Sequence, residues 1–202
     1  MKRLSKILII IQRSNGDVFL SSSLIKVLYE HYESPRIDLL INEDTYAVAK
    51  LLPNVQNIFT FSYKDKKDHR WKQEKKLAFK IFKKYDLSIN LTASDRSIFY
   101  ALLAAKKTIS AIEADSKKSW WKKRLLSMYY YYDDTKHILL QNLSALDLLK
   151  IKHRFDQKIP RISQKALLNV KRKLFEKEIS KFIDIELIFS YSSSSINEAI
   201  SI

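Results

Sequence analysis

Residues 6–18, KILIIIQRSNGDV, decide the fold class of this chain. Residues 6–12 form an unbroken apolar run without alternation, which is typical of a strand covered on both faces of a parallel sheet. A short polar turn follows at residues 13–17, and apolar residues then recur with helical spacing up to residue 32. Strand, tight turn and helix in this order predict the first βα unit of an α/β protein.

The same alternation continues along the chain. Further strands are predicted at residues 36–42, 55–61, 87–91 and 108–112, with helices at 46–52, from about 70 to 85, and at 94–105. The buried stripe of the basic third helix is predicted to contain Trp71, Ala78, Ile81, Phe82 and Tyr85. Strands that alternate with helices predict a doubly wound parallel sheet with right-handed crossovers.

The pattern changes beyond residue 114. Residues 117–132 are basic and aromatic, residues 136–151 predict an amphipathic helix, and Pro160 marks a predicted linker. Beyond it we expect a helix at 164–179 and a strand at 182–190. The sequence therefore predicts one α/β domain over residues 1–160, and a linker helix with the start of a second domain over 161–202.

Composition narrows the function classes. The 202 residues contain 37 Lys and Arg against 22 Asp and Glu, a net charge of +15. This charge favours an anionic partner, although lysines on solvated faces would explain it equally well. The absence of cysteine excludes disulfides, thiolate zinc sites and iron–sulfur clusters. The four histidines lack metal-ligand spacing, so neither a metal nor a cofactor is expected. The apolar run at residues 7–11 is too short for a signal peptide or a membrane span, which predicts a cytoplasmic protein.

The first candidate site is the turn after the first strand, at the standard ligand crevice of an open α/β sheet. It contains Arg13, Ser14, Asn15, Gly16 and Asp17. Gly16 is the one glycine in the chain, and at this position it would permit a positive φ and a close approach of the backbone to a ligand. Asp17 has two interpretations that the sequence leaves open, an N-terminal helix cap or a carboxylate that acts on a ligand.

The second candidate site follows the fourth predicted strand. Thr92 and Ser94 can cap a helix or donate hydrogen bonds, and Arg96 can bind phosphate or carboxylate through two parallel bonds. A capped helix with a surface pair between Asp95 and Arg96 explains the same residues without a ligand.

The third candidate site combines aromatic rings with cations. Its members are Trp120, Trp121, Lys122, Lys123 and Arg124, followed by tyrosines. Such a belt suits a membrane interface with anionic lipid or the stacking of nucleic-acid bases. An amphipathic helix that buries Trp and Leu in a groove is the alternative.

Four segments, in order along the chain, resemble the family 9 glycosyltransferases, the lipopolysaccharide heptosyltransferases. They are the opening strand, Gly-Asp turn and helix at residues 6–28, residues 36–55 with LPNV at 52–55, YDLSINLT and SDRS at residues 85–92 and 94–97, and residues 137–151 around Gln141, Asn142 and Leu143. The third segment is similar to the family's YDLVIDLTGGDRS.

The resemblance implies a Rossmann-like α/β domain, the N-terminal half of a GT-B glycosyltransferase. It implies sugar transfer, with inversion, from a nucleotide sugar such as ADP-heptose to the lipopolysaccharide core. Asp17 would be the catalytic base, and Arg13, Ser14, Asn15, Gly16, Thr92, Ser94 and Arg96 would bind the acceptor. Residues 120–124 would face the anionic, lipid-linked acceptor or the cytoplasmic face of the inner membrane, and no nucleic acid is expected as a partner.

The chain departs from the family pattern in two places. Ala93 and Ser94 stand where the family has glycines, and Asn90 replaces an Asp. The family's donor-binding half, which would follow residues 182–189, has no counterpart, so a truncated or split enzyme is expected. A basic module that binds anionic membrane or nucleic acid without catalysis is the alternative function.

Overall fold

The structure, a computed structural model, describes residues 4–63 and 66–152, with the backbone alone for residues 66–70 and 116–118. Six parallel strands form one sheet in the order β3-β2-β1-β4-β5-β6. The strands are β1 Lys6–Ile11, β2 Arg36–Asn42, β3 Asn57–Phe61, β4 Tyr85–Asn90, β5 Ala105–Ile112 and β6 Met128–Tyr131. The predicted doubly wound parallel sheet is confirmed. The predicted linker, the elements expected at 164–190 and the second domain lie outside the described residues.

The described part of the chain contains seven α-helices, six of which lie between strands while the last follows β6. They are α1 Asn15–Leu20, α2 Ser22–His31, α3 Tyr46–Ala49, α4 Lys66–Ile81, α5 Asp95–Ala104, α6 Ser116–Leu125 and α7 Ile138–Leu148, and a 3₁₀ turn at Glu43–Thr45 precedes α3. None of them is long and apolar enough to cross a bilayer.

The helices form two layers, one on each side of the sheet. Residues Ile7, Ile9 and Ile11 of β1 pack against α2 and α7 in the first layer, which also contains α1 and α3. The alternate residues Leu8 and Ile10 pack against α4 and α5 in the second layer. Helix α6 joins this second layer through a cluster that includes Ile98, Trp121 and Leu126. Because both faces are covered, β1 is apolar throughout instead of alternating.

Three details differ from the sequence-based predictions. The first helix begins at Asn15 and is interrupted at Ser21, whose hydroxyl donates to the Val18 carbonyl at 2.6 Å. The tyrosine run after Met128 forms a sixth strand, which pairs in parallel with β5 and was not predicted. Helix α4 buries Leu77 and Ile81, whereas Trp71 and Phe82, which were expected in its buried stripe, are 78% and 47% exposed.

Candidate functional site

The strand order brings the first two candidate sites together. Strands β1 and β4 are neighbours, and their connections run to opposite sides of the sheet, so a crevice lies at their carboxyl ends. The backbone N–H of Gln12 donates to Oγ1 of Thr92 at 2.9 Å, and the N–H of Leu91 donates to the carbonyl of Ile10 at the same distance. The turn after β1 and the turn after β4 therefore form one site.

Asp17 is part of a capping box at the start of α1. The N-cap residue is Ser14, whose hydroxyl oxygen accepts from the N–H of Asp17, while the Asp17 carboxylate accepts from the N–H of Ser14 at 3.3 Å. The interpretation of Asp17 as the N-cap residue is wrong, because the helix begins at Asn15, before the first apolar residue of its pattern. Asp17 is therefore the third residue of the helix. The carboxylate nevertheless stabilises the first turn of the helix.

The carboxylate of Asp17 uses its two oxygens differently. Oδ2 accepts from the N–H and the hydroxyl of Ser14 and from Nε of Arg13, the last at 2.9 Å. Oδ1 has no donor among the residues that the structure describes, and the side chain remains 17% exposed. Oδ2 therefore fixes the orientation of the carboxylate, whereas no bond from the described residues restrains Oδ1.

Arg13 holds Asp17 from the side of the last strand. Its Nη2 donates to the hydroxyl of Tyr132 at 2.7 Å, and its guanidinium lies 4.7 Å from the centre of that ring. Burial lowers the pKa of Arg13, but the hydrogen bonds to Asp17 and Tyr132 outweigh burial and raise it above its usual value. The sequence places Tyr132 in the aromatic segment after residue 116 and not in this site, because its approach to Arg13 depends on the strand that was not predicted.

Gly16 has a different role from the one expected. It lies within α1, it has no positive φ, and a Cβ added to it would lie 3.9 Å from Oγ of Ser14, an ordinary van der Waals distance. The positive φ that glycine would permit at this position is therefore not adopted. Both Asn15 and Gly16 are exposed on the first turn of the helix.

Asn90 organises the turn after β4. Its Nδ2 donates to the Thr92 carbonyl and to the hydroxyls of Ser97 and Ser110, and its Oδ1 accepts from the N–H of Thr92. The two hydrogens of this amide are shared among the three oxygens, and an ionised Asp would have none to donate, so Asn at this position fits the oxygens around it. The hydroxyl of Ser94 caps α5 by accepting from the N–H of Ser97. Ser94 thus stabilises the start of α5, while Thr92 joins this turn to the turn after β1.

Arg96 contacts the end of β3. Its Nη2 donates to the hydroxyl of Tyr63, and its guanidinium lies 4.1 Å from the centre of the Phe61 ring. Its Nε is buried without a partner in the described part of the chain. The structure therefore places Arg96 against the rings of Phe61 and Tyr63 at the carboxyl edge of the sheet.

Two buried amides at this edge lack partners and were not predicted. Gln12 follows β1 and is only 7% exposed, and neither Oε1 nor Nε2 has a hydrogen-bond partner within the described residues. Asn42 ends the neighbouring strand β2, and its Oδ1 is unpaired in the same way. An unsatisfied buried polar group costs about 1–3 kcal/mol. A polar ligand that reached these atoms would remove this cost, because sugar hydroxyls can both donate to and accept from amides.

The third candidate site does not form one surface. Trp120 is exposed, whereas Trp121 packs against the cluster of Ile98, Ile112 and Leu126. Lys122 is 1% exposed and forms ion pairs with Asp95 at 2.6 Å and Glu113 at 2.5 Å, so it cannot face a membrane or an acceptor as expected. Burial lowers its pKa, but the two acidic partners outweigh burial and raise it. Lys123 is half-exposed and lies over the Tyr131 ring, and Arg124 is exposed.

Within residues 4–63 and 66–152, no group of three or more His, Cys, Asp or Glu side chains is placed to hold a metal ion. The cations and amides of the crevice instead offer hydrogen bonds to a polar organic ligand.

Solved structures that are similar to this chain include a family 9 glycosyltransferase and heptosyltransferases. A glycosyl transferase family 9 protein from Veillonella parvula DSM 2008 is 21% identical with a TM-score of 0.60, over 73% of this chain and 42% of that one. The E. coli heptosyltransferase WaaC with ADP-2-deoxy-2-fluoro heptose is 13% identical with a TM-score of 0.60, over 76% and 52%. E. coli ADP-heptose lps heptosyltransferase II is 20% identical with a TM-score of 0.51, over 69% and 39%.

No family model and no curated protein matches the sequence. The chain spans about two fifths to one half of the length of the similar structures. This partial coverage fits an N-terminal half of the two-domain GT-B architecture. The resemblance stated from the sequence is confirmed at the level of the fold, and the chain has the Rossmann-like α/β fold of the family 9 glycosyltransferases.

Proposed function

We propose that this chain is the acceptor-binding half of a heptosyltransferase-like glycosyltransferase, with Asp17 as the base of an inverting transfer. The observation that carries the proposal is the position of Asp17 at the switch point of the sheet, with Oδ2 fixed by Ser14 and Arg13 and Oδ1 available. A base of this kind accepts the proton of the acceptor hydroxyl as that oxygen forms the new bond to the anomeric carbon, while the nucleotide leaves from the opposite face.

The surroundings of Asp17 fix the orientation of its carboxylate. Arg13 lies against the carboxylate and is a favourable partner for its negative charge. The rate gain is therefore expected mainly from holding Oδ1 and the acceptor hydroxyl in line, which is the contribution that fixed geometry makes. Tyr132 and Ser14 supply that fixation from two different elements.

The buried amides at the carboxyl edge support a sugar ligand. Gln12 and Asn42 place unpaired donors and acceptors on neighbouring strands, and the unpaired Nε of Arg96 adds a cationic donor to the same edge. In the proposal these groups bind the hydroxyls and the acidic groups of the lipopolysaccharide core acceptor, which is linked to lipid at the cytoplasmic face of the inner membrane. The nucleotide sugar, of the ADP-heptose type, would be bound by a donor half outside the described residues.

The test is sugar transfer from ADP-heptose to a heptose-deficient core acceptor, with the chain alone and with a separately produced donor half of a family 9 enzyme. We expect Asp17→Asn to lower kcat by about 10²- to 10⁴-fold, the usual contribution of a general base. Asp95→Asn is the matched control, because Asp95 also lies in the first turn of a helix and pairs with a cation. Equal rates for Asp17→Asn and the unaltered chain would contradict the assignment of the base.

Binding of the acceptor is measured separately by calorimetry. Gln12→Leu with Asn42→Leu is expected to weaken it at least tenfold, since two hydrogen bonds to sugar are lost. If the unaltered chain does not bind the acceptor more tightly than this double variant, the crevice is not an acceptor site.

A further inference from the structure

The two helical layers of the sheet carry opposite charge. In the first layer, α1, α2, α3, α7 and the 3₁₀ turn contain one lysine against five acidic residues. In the second layer, α4, α5 and α6 contain 13 lysine and arginine residues against three acidic ones. Among the helices that the structure describes, the excess of cationic residues thus belongs to the second layer, where one of them, Lys122, is buried in ion pairs.

The second layer also carries most of the large apolar side chains that are exposed. Six lie on α4, α5 and α6 or directly after α4, each 47–78% exposed: Trp71, Phe79, Phe82, Phe99, Trp120 and Leu125. The first layer exposes only two large apolar side chains among the described residues, Tyr46 and Leu140. Scattered exposed apolar residues are normal on any surface, but six on one strongly basic layer need a reason.

Helix α4 shows that these side chains point away from the sheet. Leu77 and Ile81 are buried against the sheet, so the opposite side of the helix faces outward. Trp71, Phe79 and Phe82 are spaced at i, i+8 and i+11 and therefore lie along one stripe of that outer side. Exposed lysines flank the stripe, at positions 72, 75, 76, 80 and 83.

Helices α5 and α6 extend this surface. On α5, Phe99 is exposed between the buried residues Ile98 and Tyr100, so it also points outward. On α6, Trp120 and Leu125 are exposed while Trp121 and Lys122 face the protein. The cations that remain on the outer surface of α6 include Arg124, but not Lys122.

We propose that the aromatic–basic face, formed by Trp71, Phe79, Phe82, Phe99, Trp120, Leu125 and the flanking lysines, docks on a lipid bilayer that contains anionic lipid. Lysines meet anionic headgroups, and tryptophan and phenylalanine insert at the boundary between headgroups and acyl chains. A nucleic acid would use rings for stacking on bases, but Leu125 has no ring, and the outward rings lie on convex helices instead of in a groove. The charge and the apolar side chains together therefore favour lipid.

This inference goes beyond the proposed transfer reaction and does not depend on it, because it uses none of the residues of the Asp17 site. Docking through the second layer would leave the first layer, with its acidic excess, directed away from the anionic headgroups.

The experiment is co-sedimentation of the full chain with vesicles. The vesicles are made of phosphatidylglycerol with phosphatidylethanolamine, or of phosphatidylcholine alone. Binding is expected only to the former and is expected to decrease with salt. The triple variant Trp71→Ser/Phe79→Ser/Trp120→Ser should bind at least about tenfold more weakly, because three aromatic side chains can no longer insert into the bilayer. The matched control is Tyr46→Ser/Leu140→Ser in the first layer, which should bind like the unaltered chain.

The charge contribution is tested with Lys75→Glu/Lys76→Glu/Lys80→Glu, which should also weaken binding about tenfold or more. Lys26→Glu/Lys50→Glu on the first layer is its control and should change binding by less than about threefold. Insertion is read from tryptophan fluorescence, which brominated acyl chains should quench in the unaltered chain and much less in Trp71→Ser/Trp120→Ser.

Several results would overturn the proposal. The first is that the unaltered chain binds neither kind of vesicle, and the second is that the triple serine variant binds vesicles as tightly as the unaltered chain. The third is binding to duplex DNA that is lost in the triple glutamate variant and kept in the triple serine variant. Sedimentation velocity provides a further one. If the unaltered chain dimerises and the aromatic variant does not, the face is an interface between two copies instead of a lipid surface.

Discussion

The two helical layers cover the same sheet but differ in the charge and the apolar content of their outer surfaces. In the first layer, α1 begins with the Ser14–Asp17 capping box. The exposed surface of this layer is acidic and poor in large apolar side chains. In the second layer, α5 begins with a similar serine cap at Ser94, but the outer surface is basic and rich in exposed aromatics. The carboxylate proposed as the base lies on α1 in the first layer, whereas the surface proposed to contact lipid lies on the outer side of the second layer.

The buried cation of the second layer gives the largest stability effect expected outside the site. Lys122→Met should lower the free energy of unfolding by about 1–3 kcal/mol, because it leaves Asp95 and Glu113 without their cation, although both acids reach water. Lys26→Met in the first layer should change it by less than about 0.5 kcal/mol, since the pair of Lys26 with Glu30 is exposed. Urea unfolding of both variants measures the difference. Equal effects would show that burial of Lys122 does not distinguish the layers.

The same lysine gives a pH dependence of stability. Its pKa is raised in the folded protein from its usual 10.5, despite burial, by hydrogen bonds to Asp95 and Glu113. A raised pKa means that the stabilisation is complete below about pH 10.5 and is lost as the pH rises through the folded-state value. The stability difference between the unaltered chain and Lys122→Met should therefore shrink at strongly alkaline pH. A difference that stays constant would contradict the ion-pair assignment.

The two serine caps give a medium effect and compare the layers directly. Ser14→Ala and Ser94→Ala should each cost about 0.5–2 kcal/mol of stability, because each removes an acceptor for an N–H in the first turn. Only Ser14 also holds the Asp17 carboxylate. In the transfer assay Ser14→Ala should therefore lower kcat more than Ser94→Ala does. A larger kcat loss for Ser94→Ala would place the reacting group on the other turn.

Gly16 gives the smallest effect. Gly16→Ala should leave stability unchanged or raise it by up to about 1 kcal/mol, since the residue is helical and a Cβ has room. Thermal unfolding measures this change. A large loss would mean that the single glycine of the chain is needed for its backbone after all.

Much of the sheet could be predicted because its strands carry an unambiguous signal. Strands β1 and β2 are continuous apolar runs bounded by polar turns, and their predicted ends agree with the structure to within one residue. Strand β6 was missed because MYYY is half-buried and follows a basic helix, so its composition resembles an interfacial belt. Its pairing with β5 is a tertiary contact that no local pattern encodes.

The site was predictable in position but not in detail. The rule for open α/β sheets placed ligands after β1 and β4, and the structure joins those two turns through Gln12 and Thr92. The unpaired amides of Gln12 and Asn42, in contrast, depend on what surrounds each side chain in space. The burial of Lys122 was missed for the same reason, because its acidic partners come from α5 and from the end of β5.

The bond from Arg13 to Tyr132 has a consequence for how the protein folds during synthesis. The two residues are 119 positions apart, so this contact cannot form until the chain has been made almost to the start of α7. The capping box of Ser14 and Asp17 is local and can form at once, whereas closing a long loop is slow and must await the intervening strands. The carboxylate therefore acquires its final support late, and a nascent chain that ends before β6 would carry the acid without its anchored cation.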